Sequence, residues 1–265
     1  MMGRWTILGT GRVGTALVPW LRAAGAPPAA AVGRRRLNVW LGQLPESGPA
    51  GILIAVPDDA LPELARRLAR ARKDWRGWCV LHTSGTRTSA VLAPLARRGA
   101  AAGSLHPMMT FTRRAPSPRG VICSIEGDTA ATRTARRLVR AWGGVALALD
   151  GEAKAAYHLA ATLVGPGAVV EAAAAEAILR EAGFSGARLR CARQGLLQLL
   201  RATAVNLERG SAAAWTGPWA RGDRATIRSQ RQRLSTPALR RLYDGLTAAA
   251  QAHLGQKSTT GTRKV

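Results

Sequence analysis

Residues 5–21, WTILGTGRVGTALVPWL, join a short apolar run to three glycines spaced GxGxxG and then to an apolar pattern of helical period. The spacing alone is weak evidence, because glycine supplies 29 of the 265 residues and such triplets arise by chance. The flanks carry the constraint. Residues 5–9 read as a buried strand and 12–25 as a helix stopped by Gly25, with Pro19 expected to kink it. A second apolar run over 29–32 completes a β-α-β unit. In that setting Gly9 permits the turn, Gly11 lets a pyrophosphate approach the backbone, and Gly14 lets the helix pack on the strand. The free N–H groups of the first helical turn, at Arg12 and Val13, then face the phosphates. A ligand-free βαβ turn is the alternative.

The cofactor follows from the end of the second strand. An NAD site usually places an acid there to accept hydrogen bonds from the ribose hydroxyls. Here the first acidic residue of the chain is Glu46, and Val32 is followed by Gly33-Arg34-Arg35-Arg36. Guanidinium groups suit a 2′-phosphate through charge-assisted, often bidentate, hydrogen bonds. NADP is therefore expected, with Arg34 and Arg35 as its phosphate contacts. Three solvated arginines remain the plainer alternative.

Strands and helices continue to alternate: GILIAVP (51–57), a helix through Ala71 with Asp58 and Asp59 as candidate caps, WCVLHTSG (78–85), a helix over 89–98, strands over 100–106 and 121–125, a helix over 129–142 and a strand over 145–149. That alternation predicts an α/β, Rossmann-type, mostly parallel sheet. After Asp150 residues 152–182, 187–209, 222–234 and 237–254 all read helical. The expected organisation is an NADP-binding domain over 1–149, an all-α domain over 150–255 and a disordered polar tail over 256–265.

Composition narrows the partners. The net charge of +24 invites a nucleic-acid reading, but the basic excess is spread along both halves and occurs only in short runs. Aromatic residues are 5% of the chain and no stacking-and-basic pattern appears, so a nucleic-acid module is the weakest of three functional readings. Cys79, Cys123 and Cys191 are odd in number, widely spaced and without a CxxC pair, which fits a reducing, cytoplasmic setting. The four histidines show no HExxH pattern, and no metal is expected. Gly9, Gly11, Arg12 and Gly14 interrupt the N-terminal apolar stretch, contrary to a secretory signal. The longest apolar candidate for a membrane span, residues 159–170, contains Gly165 and Pro166 and stops at Glu171, so no span is expected.

GTGRVG, IAVPDD (54–59), HTSG (82–85), GSLHPMMTF (103–111), KAAYHLAA (154–161) and TGPWARGD (216–223) together resemble the bacterial Rossmann-like proteins that carry a C-terminal domain of unknown function, DUF2520. The resemblance runs in order over about residues 4–234. It is similar in architecture to 6-phosphogluconate and β-hydroxyacid dehydrogenases, ketopantoate reductases and pyrroline-5-carboxylate reductases, and so implies an NADP-binding domain followed by a helical domain that dimerises. It also implies that Gly9, Gly11 and Gly14 bind pyrophosphate, Arg34 the 2′-phosphate, and that Val56 and Pro57 line the nucleotide cleft. Ser84 and Gly85 fall where a substrate-contacting serine follows a strand, and His106 follows the next strand. HTSG equally reads as a helix cap and His106-Pro107 as a strand terminator. Thr216 and Gly217 resemble the loop of pyrroline-5-carboxylate reductases that receives a substrate carboxylate, with Asp223 as a plain helix cap in the alternative.

Two departures from the family pattern stand out, Gly165-Pro166 in place of an asparagine and Gln230 in place of a histidine. They imply a different substrate or impaired catalysis. The first functional expectation is an NADP-dependent reductase of a small, anionic carbonyl or imine acid, a 2-oxo acid being one guess; the second is a non-catalytic NADP-binding protein. Proton delivery is expected from Lys154 and His158, one helical turn apart on a shared face, each depressing the other's pKa and partial burial acting in the same direction, with His106 as a further donor. An exposed Lys154 is the plainer alternative. Ala-rich helices over 152–182 and 187–209, apolar on more than one side, predict a homodimer.

Overall fold

A computed structural model describes residues 4–44, 50–210 and 214–260, with side chains described through Leu254. Two compact units divide at Gly165/Pro166. The first is built on β1 (Arg4–Leu8), α1 (Arg12–Ala23), β2 (Pro28–Val32), α2 (Leu37–Leu41), β3 (Ala50–Ile54), α3 (Leu61–Ala71), β4 (Trp78–His82), α4 (Ala93–Ala96), β5 (Ala101–Pro107), β6 (Ile122–Gly127), α5 (Thr129–Ala141), β7 (Val145–Ala148) and the start of α6 (Gly151–Glu181). Single 3₁₀ turns at Arg34–Arg36 and Ser89–Leu92 precede α2 and α4.

The seven strands form one sheet in the order β2-β1-β3-β4-β5-β6-β7, parallel except for the β5–β6 pair. This is the Rossmann-type α/β arrangement expected from the alternation. Period-two burial splits the core across the sheet. Trp5, Ile7, Leu53, Leu81, Leu105 and Ile125 pack on one face with Leu17 and Trp20 of α1 and Leu138 of α5. Ile52, Ile54 and Val80 face the other way, onto Leu61, Leu64 and Leu68 of α3 and onto Leu92 and Leu95.

Several local expectations change. Pro19 lies inside helix α1, as expected, but other positions differ. Ala60, not Asp58 or Asp59, occupies the N-cap of α3 and makes no side-chain cap; the turn is closed by Ala60 N–H donating to the Pro57 carbonyl at 3.0 Å. The compact units divide at Gly165, beyond the domain boundary expected at 149/150, and the first turns of α6 are held to the sheet where the buried Lys154 donates to Ser104. Glu46 lies outside the described residues.

The second unit contains the rest of α6, α7 (Gly186–Glu208), α8 (Gly217–Arg221), α9 (Arg224–Gln232) and α10 (Pro237–Thr260). Helix α10 covers 256–260, which were expected to be a disordered tail, and 261–265 lie outside the described residues. Helix α9 starts at Arg224, with Asp223 accepting from Thr226 N–H at 3.0 Å, as in the capping alternative. Polar contacts tie the unit together: Arg231 pairs with Asp244 at 2.7 Å, Tyr243 donates to Gln230 at 2.6 Å, and Arg193 pairs with Glu176 at 2.9 Å. Of its described apolar residues only Leu234 and Ala250 are buried.

Helix α6 also corrects the reading of membrane length. Gly165 and Pro166 do not break it, so it reaches 31 residues, and an 18-residue window has mean hydropathy 1.4 with none of its residues buried. By length and composition alone such a helix could cross a membrane.

Candidate functional site

The glycine turn takes the three separate roles that its spacing implies. Gly9 sits at φ +110°, and a Cβ there would lie 2.1 Å from the Ala55 carbonyl oxygen. A Cβ on Gly14 would lie 1.9 Å from the Gly9 carbonyl oxygen, so the absence of a side chain is what lets α1 approach the turn. A Cβ on Gly11 would meet nothing within 4 Å, which leaves its backbone open to a ligand. Gly11 is the N-cap of α1 and provides no side-chain cap. The first intrahelical bond is Thr15 N–H to the Gly11 carbonyl at 2.9 Å, so the preceding N–H groups of Arg12, Val13 and Gly14 have no helical acceptor.

Two cavities meet at this turn. The larger, about 640 Å³, is lined by Gly9, Thr10 and Gly11, by Gly33 and Arg34, by Val56 and Pro57, and by Asp59, Glu63 and Arg67. Arg34 is the one member of the arginine run on this lining; Arg35 is exposed and absent from it, because the 3₁₀ turn rotates successive side chains away. The smaller cavity, about 390 Å³, shares Gly11, Ala55, Val56 and Pro57 and adds Arg12, Val13, Asp58, Thr83, Ser84, Gly85 and His158. Both open at the carboxyl ends of parallel strands, where ligands of open α/β sheets bind.

Around the smaller cavity the loop after β4 is tightly held. Ser84 Oγ accepts from Arg87 N–H at 2.9 Å and Thr86 N–H at 3.3 Å, so it closes its own turn while lining the cavity. Thr86 Oγ1 donates to Asp58 at 2.5 Å. Burial pushes the Asp58 carboxyl upward, but hydrogen bonds from Thr86 and Ser84, with the charge of Arg87, outweigh it and hold the group below its usual value. Gly85 is where histidines converge: a Cβ there would lie 2.0 Å from His158 Cδ2 and 2.9 Å from His106 Cε1. The His106 and His158 rings sit edge to face with centroids 5.4 Å apart. His106 Nδ1–H donates to the Thr83 carbonyl at 3.0 Å, and burial, together with the charges of His158 and Lys154, lowers its proton affinity.

Lys154 lies behind this cavity, not on its lining. It is 1% exposed, against the exposed alternative, and its Nζ donates to Ser104 Oγ. Strand register explains the company it keeps. His82 pairs with Ser104 across β4–β5, and Ser104 with Glu126 across β5–β6, so the three side chains form one polar row on the same face of the sheet. The row's ends are gripped by the segment entering the 3₁₀ turn: His82 Nε2–H donates to the Thr88 carbonyl at 3.2 Å, and Glu126 accepts from Ser89 N–H at 2.8 Å and Ser89 Oγ–H at 2.5 Å. His82 Nδ1 has no partner and is buried. Burial lowers the Lys154 ammonium to about 8, with Glu126 and Asp58 acting in the opposite direction. The expected burial is therefore the cause, while the expected repulsion from His158 is not among the causes. Burial and the nearby Lys154 charge lower His82 to about 3, so it is neutral.

Among the expected residues, the structure thus gathers Gly9, Gly11, Arg12, Val13, Arg34, Val56, Pro57, Ser84, Gly85 and His158 on the two linings, with His106 packed beside them and Gly14 behind the turn. Thr216 and Gly217 belong to the second unit, where they begin the five-residue α8. Sequence reasoning missed Thr10, Asp58 and Arg67 as lining residues, and His82, Ser104 and Glu126 as neighbours of Lys154. Asp58 was visible in IAVPDD but read as a cap; Arg67 sits among Arg66 and Arg70 on an amphipathic helix and carries no local signal. Cys79 and Cys123 are raised to about 12 by burial, which makes both thiols poor nucleophiles.

The comparisons agree with this architecture. A family described as a Rossmann-like domain matches residues 41–107, and the domain of unknown function DUF2520 matches residues 121–250. No protein of curated function matches the sequence. Among solved structures, a Bacteroides fragilis protein provisionally named an NADP oxidoreductase is 20% identical, with 94% of this chain and 98% of that one covered and a TM-score of 0.76. A Thermotoga maritima protein is 19% identical over 96% and 99% of the two chains, with a TM-score of 0.71. A reductive aminase from Aspergillus terreus, bound to NADPH and ethyl levulinate, is 16% identical over 96% and 95%, with a TM-score of 0.62. Along the chain, a stretch similar to a Rossmann-like domain is thus followed by one similar to the DUF2520 domain.

Proposed function

We propose that this protein is an NADP-dependent reductase of a small carbonyl or imine acid. The observation that carries the reading is the pair of cavities joined at Gly11, one running out to Arg34 and the other ending at His158. The residues fit a dinucleotide: the backbone at Gly11 is open, the N–H groups at Arg12 and Val13 have no helical acceptor, and Arg34 offers a guanidinium where a 2′-phosphate would lie. When bound, NADPH supplies a hydride to the substrate. The protein's part is then to orient the substrate and deliver a proton to the atom beside the hydride acceptor.

His158 is the titratable imidazole on the smaller lining and the proposed proton donor, with Arg12 in the same lining as the partner for an acidic substrate. His106, fixed through Nδ1, holds the ring of His158 from the side. Lys154, buried and off the lining, acts from behind as electrostatic support and not as the direct donor. The names of the solved relatives, among them imine reductases and a reductive aminase, support a reductase of carbonyl-derived substrates. The three free cysteines support a reducing compartment as its setting.

The test is calorimetry with NADPH and NADH, followed by NADPH consumption against a panel of 2-oxo acids and cyclic imines. Arg34→Ala is expected to weaken NADPH binding roughly tenfold or more while sparing NADH, the cost of one charge-assisted contact. Equal affinity for the two cofactors in the unmodified protein would overturn the NADP reading. Tight NADPH binding without consumption by any panel member would favour the non-catalytic reading.

We also propose a homodimer through the helical half. Leu163, Val164, Val169 and Leu199 are 69%, 76%, 69% and 65% exposed, and long helices with apolar residues bared on this scale need cover that one copy of the chain does not provide.

A further inference from the structure

The cofactor reading assigns one cation, Arg34, to the far end of the larger cavity. A second guanidinium lines that cavity from a different element. Arg67 lies on α3, half-buried, 33 residues beyond Arg34 in the chain and on the other side of β3. Its position is not left to rotamer freedom. Arg67 Nη2 donates to the Asn38 side-chain oxygen, and Asn38 is the second residue of α2, the helix that directly follows the Arg34–Arg36 turn. The contact ties the guanidinium toward the segment that carries Arg34. Arginine has five N–H donors in a planar fork, so one bond to Asn38 leaves most of them free for an anion.

The acids on the same lining do not cancel this arrangement. Glu63 is already paired with Arg66, whose Nη2 lies 2.8 Å and whose Nε lies 3.0 Å from one carboxylate oxygen. With Glu63 paired, Asp59 is the remaining acid on the lining, against the two guanidinium groups of Arg34 and Arg67. Gly33 opens the lining between Val32 and Arg34, and Leu37 and Leu64 supply apolar surface for a base.

We propose that Arg67, held by Asn38, is a specificity-determining residue that shares a 2′-phosphate monoester with Arg34, so that phosphate recognition spans α3 and the turn after β2. The inference rests on the NADP reading and extends it to a residue outside the β-α-β unit that gave rise to that reading. A phosphate monoester presents three oxygens, enough to accept from two guanidinium groups at once. Binding one anion from two elements also makes selectivity depend on both, which a single surface arginine cannot achieve.

The experiment is calorimetry of the intact protein with NADPH, NADH, adenosine 2′,5′-bisphosphate and AMP, on the unmodified chain and on Arg67→Ala, Arg67→Lys and Asn38→Ala. Arg67→Ala is expected to lower affinity for NADPH and for adenosine 2′,5′-bisphosphate about tenfold, with less than about a twofold change for NADH and AMP. Arg67→Lys should recover part of the loss, since it keeps the charge without the fork, and Asn38→Ala should lose a smaller part in the same phosphate-dependent way. Little change in melting temperature would accompany these results, because Asn38 is exposed and Arg67 only half-buried. If the unmodified protein prefers NADPH and Arg67→Ala retains that preference in full, the role of Arg67 is overturned while the NADP reading stands. An equal loss for phosphorylated and unphosphorylated ligands would also overturn it, by placing Arg67 on the base. If the unmodified protein shows no preference for NADPH, both readings fall together.

Discussion

Replacing Lys154 with methionine isolates the electrostatic cost of placing an ammonium group inside the sheet domain. Lysine ordinarily titrates near 10.5, and here burial lowers the group to about 8. The folded state therefore holds its proton less tightly than the unfolded chain, so between these values the unfolded state binds more protons and stability rises with pH. The cost is present in full below about pH 8 and is relieved as pH climbs to about 10.5. A shift of this size corresponds to about 3 kcal/mol. The side chain is almost wholly buried, so solvent screening takes little from that figure. His82, Ser104 and Glu126 on the sheet, Asp58 beyond them, and His106 and His158 beside the cavity are the polar and titratable groups around it.

Urea denaturation of both proteins from pH 7 to pH 11 should show the stability gap between Lys154→Met and the unmodified chain changing by about 3 kcal/mol, with the variant relatively favoured at the lower pH. Taking the difference cancels the tyrosine and cysteine titrations common to both proteins. The chain has only four lysines, Lys73, Lys154, Lys257 and Lys264, so a carbon-13 label at the lysine Cε gives a direct titration by NMR in which Lys154 separates from the other three. Glu126→Gln should lower that titration further, because Glu126 favours the charged form. Four lysines titrating together at the ordinary value, with a pH-independent stability gap, would refute the reasoning.

Three further outcomes are expected. Gly85→Ala places a Cβ 2.0 Å from the His158 ring, at a position without positive φ; the ring must swing away, so NADPH affinity measured by calorimetry should hold while turnover on the true substrate falls at least tenfold, as for loss of a general acid. Gly14→Ala drives a Cβ into the Gly9 carbonyl and should cost on the order of 1–3 kcal/mol in denaturant titration as well as NADPH binding. Light scattering at micromolar concentration should return a dimer mass, and Leu163→Glu with Val164→Glu should return a monomer; a monomeric unmodified chain would remove the dimer, and partition into lipid vesicles would assign the apolar face of α6 to a membrane instead.

What could be read directly from residue order was set by short-range physics. The GTGRVG turn required its glycines for backbone reasons local to β1 and α1, namely a positive φ at Gly9, open backbone at Gly11 and close approach at Gly14, and the spacing alone carries those demands. Short apolar runs alternating with helices of period 3.6 likewise announced the α/β half, and helical patterns without such runs the helical half. Asp58 does not cap α3; its carboxylate accepts instead from Thr86, 28 residues away. The same holds for the site's interior. Lys154 looked like a first-turn lysine whose neighbour in the helix is His158, yet it was the register of β4, β5 and β6 that set His82, Ser104 and Glu126 in one row beneath it. Arg67 was one of several arginines on α3 until the pairing of β3 beside β1 brought it to Asn38 and the nucleotide cavity. Backbone conformation depends on neighbours a few residues away, and sequence records them; proton affinity and charge placement depend on which distant segments the sheet brings into contact, and only the folded chain decides that.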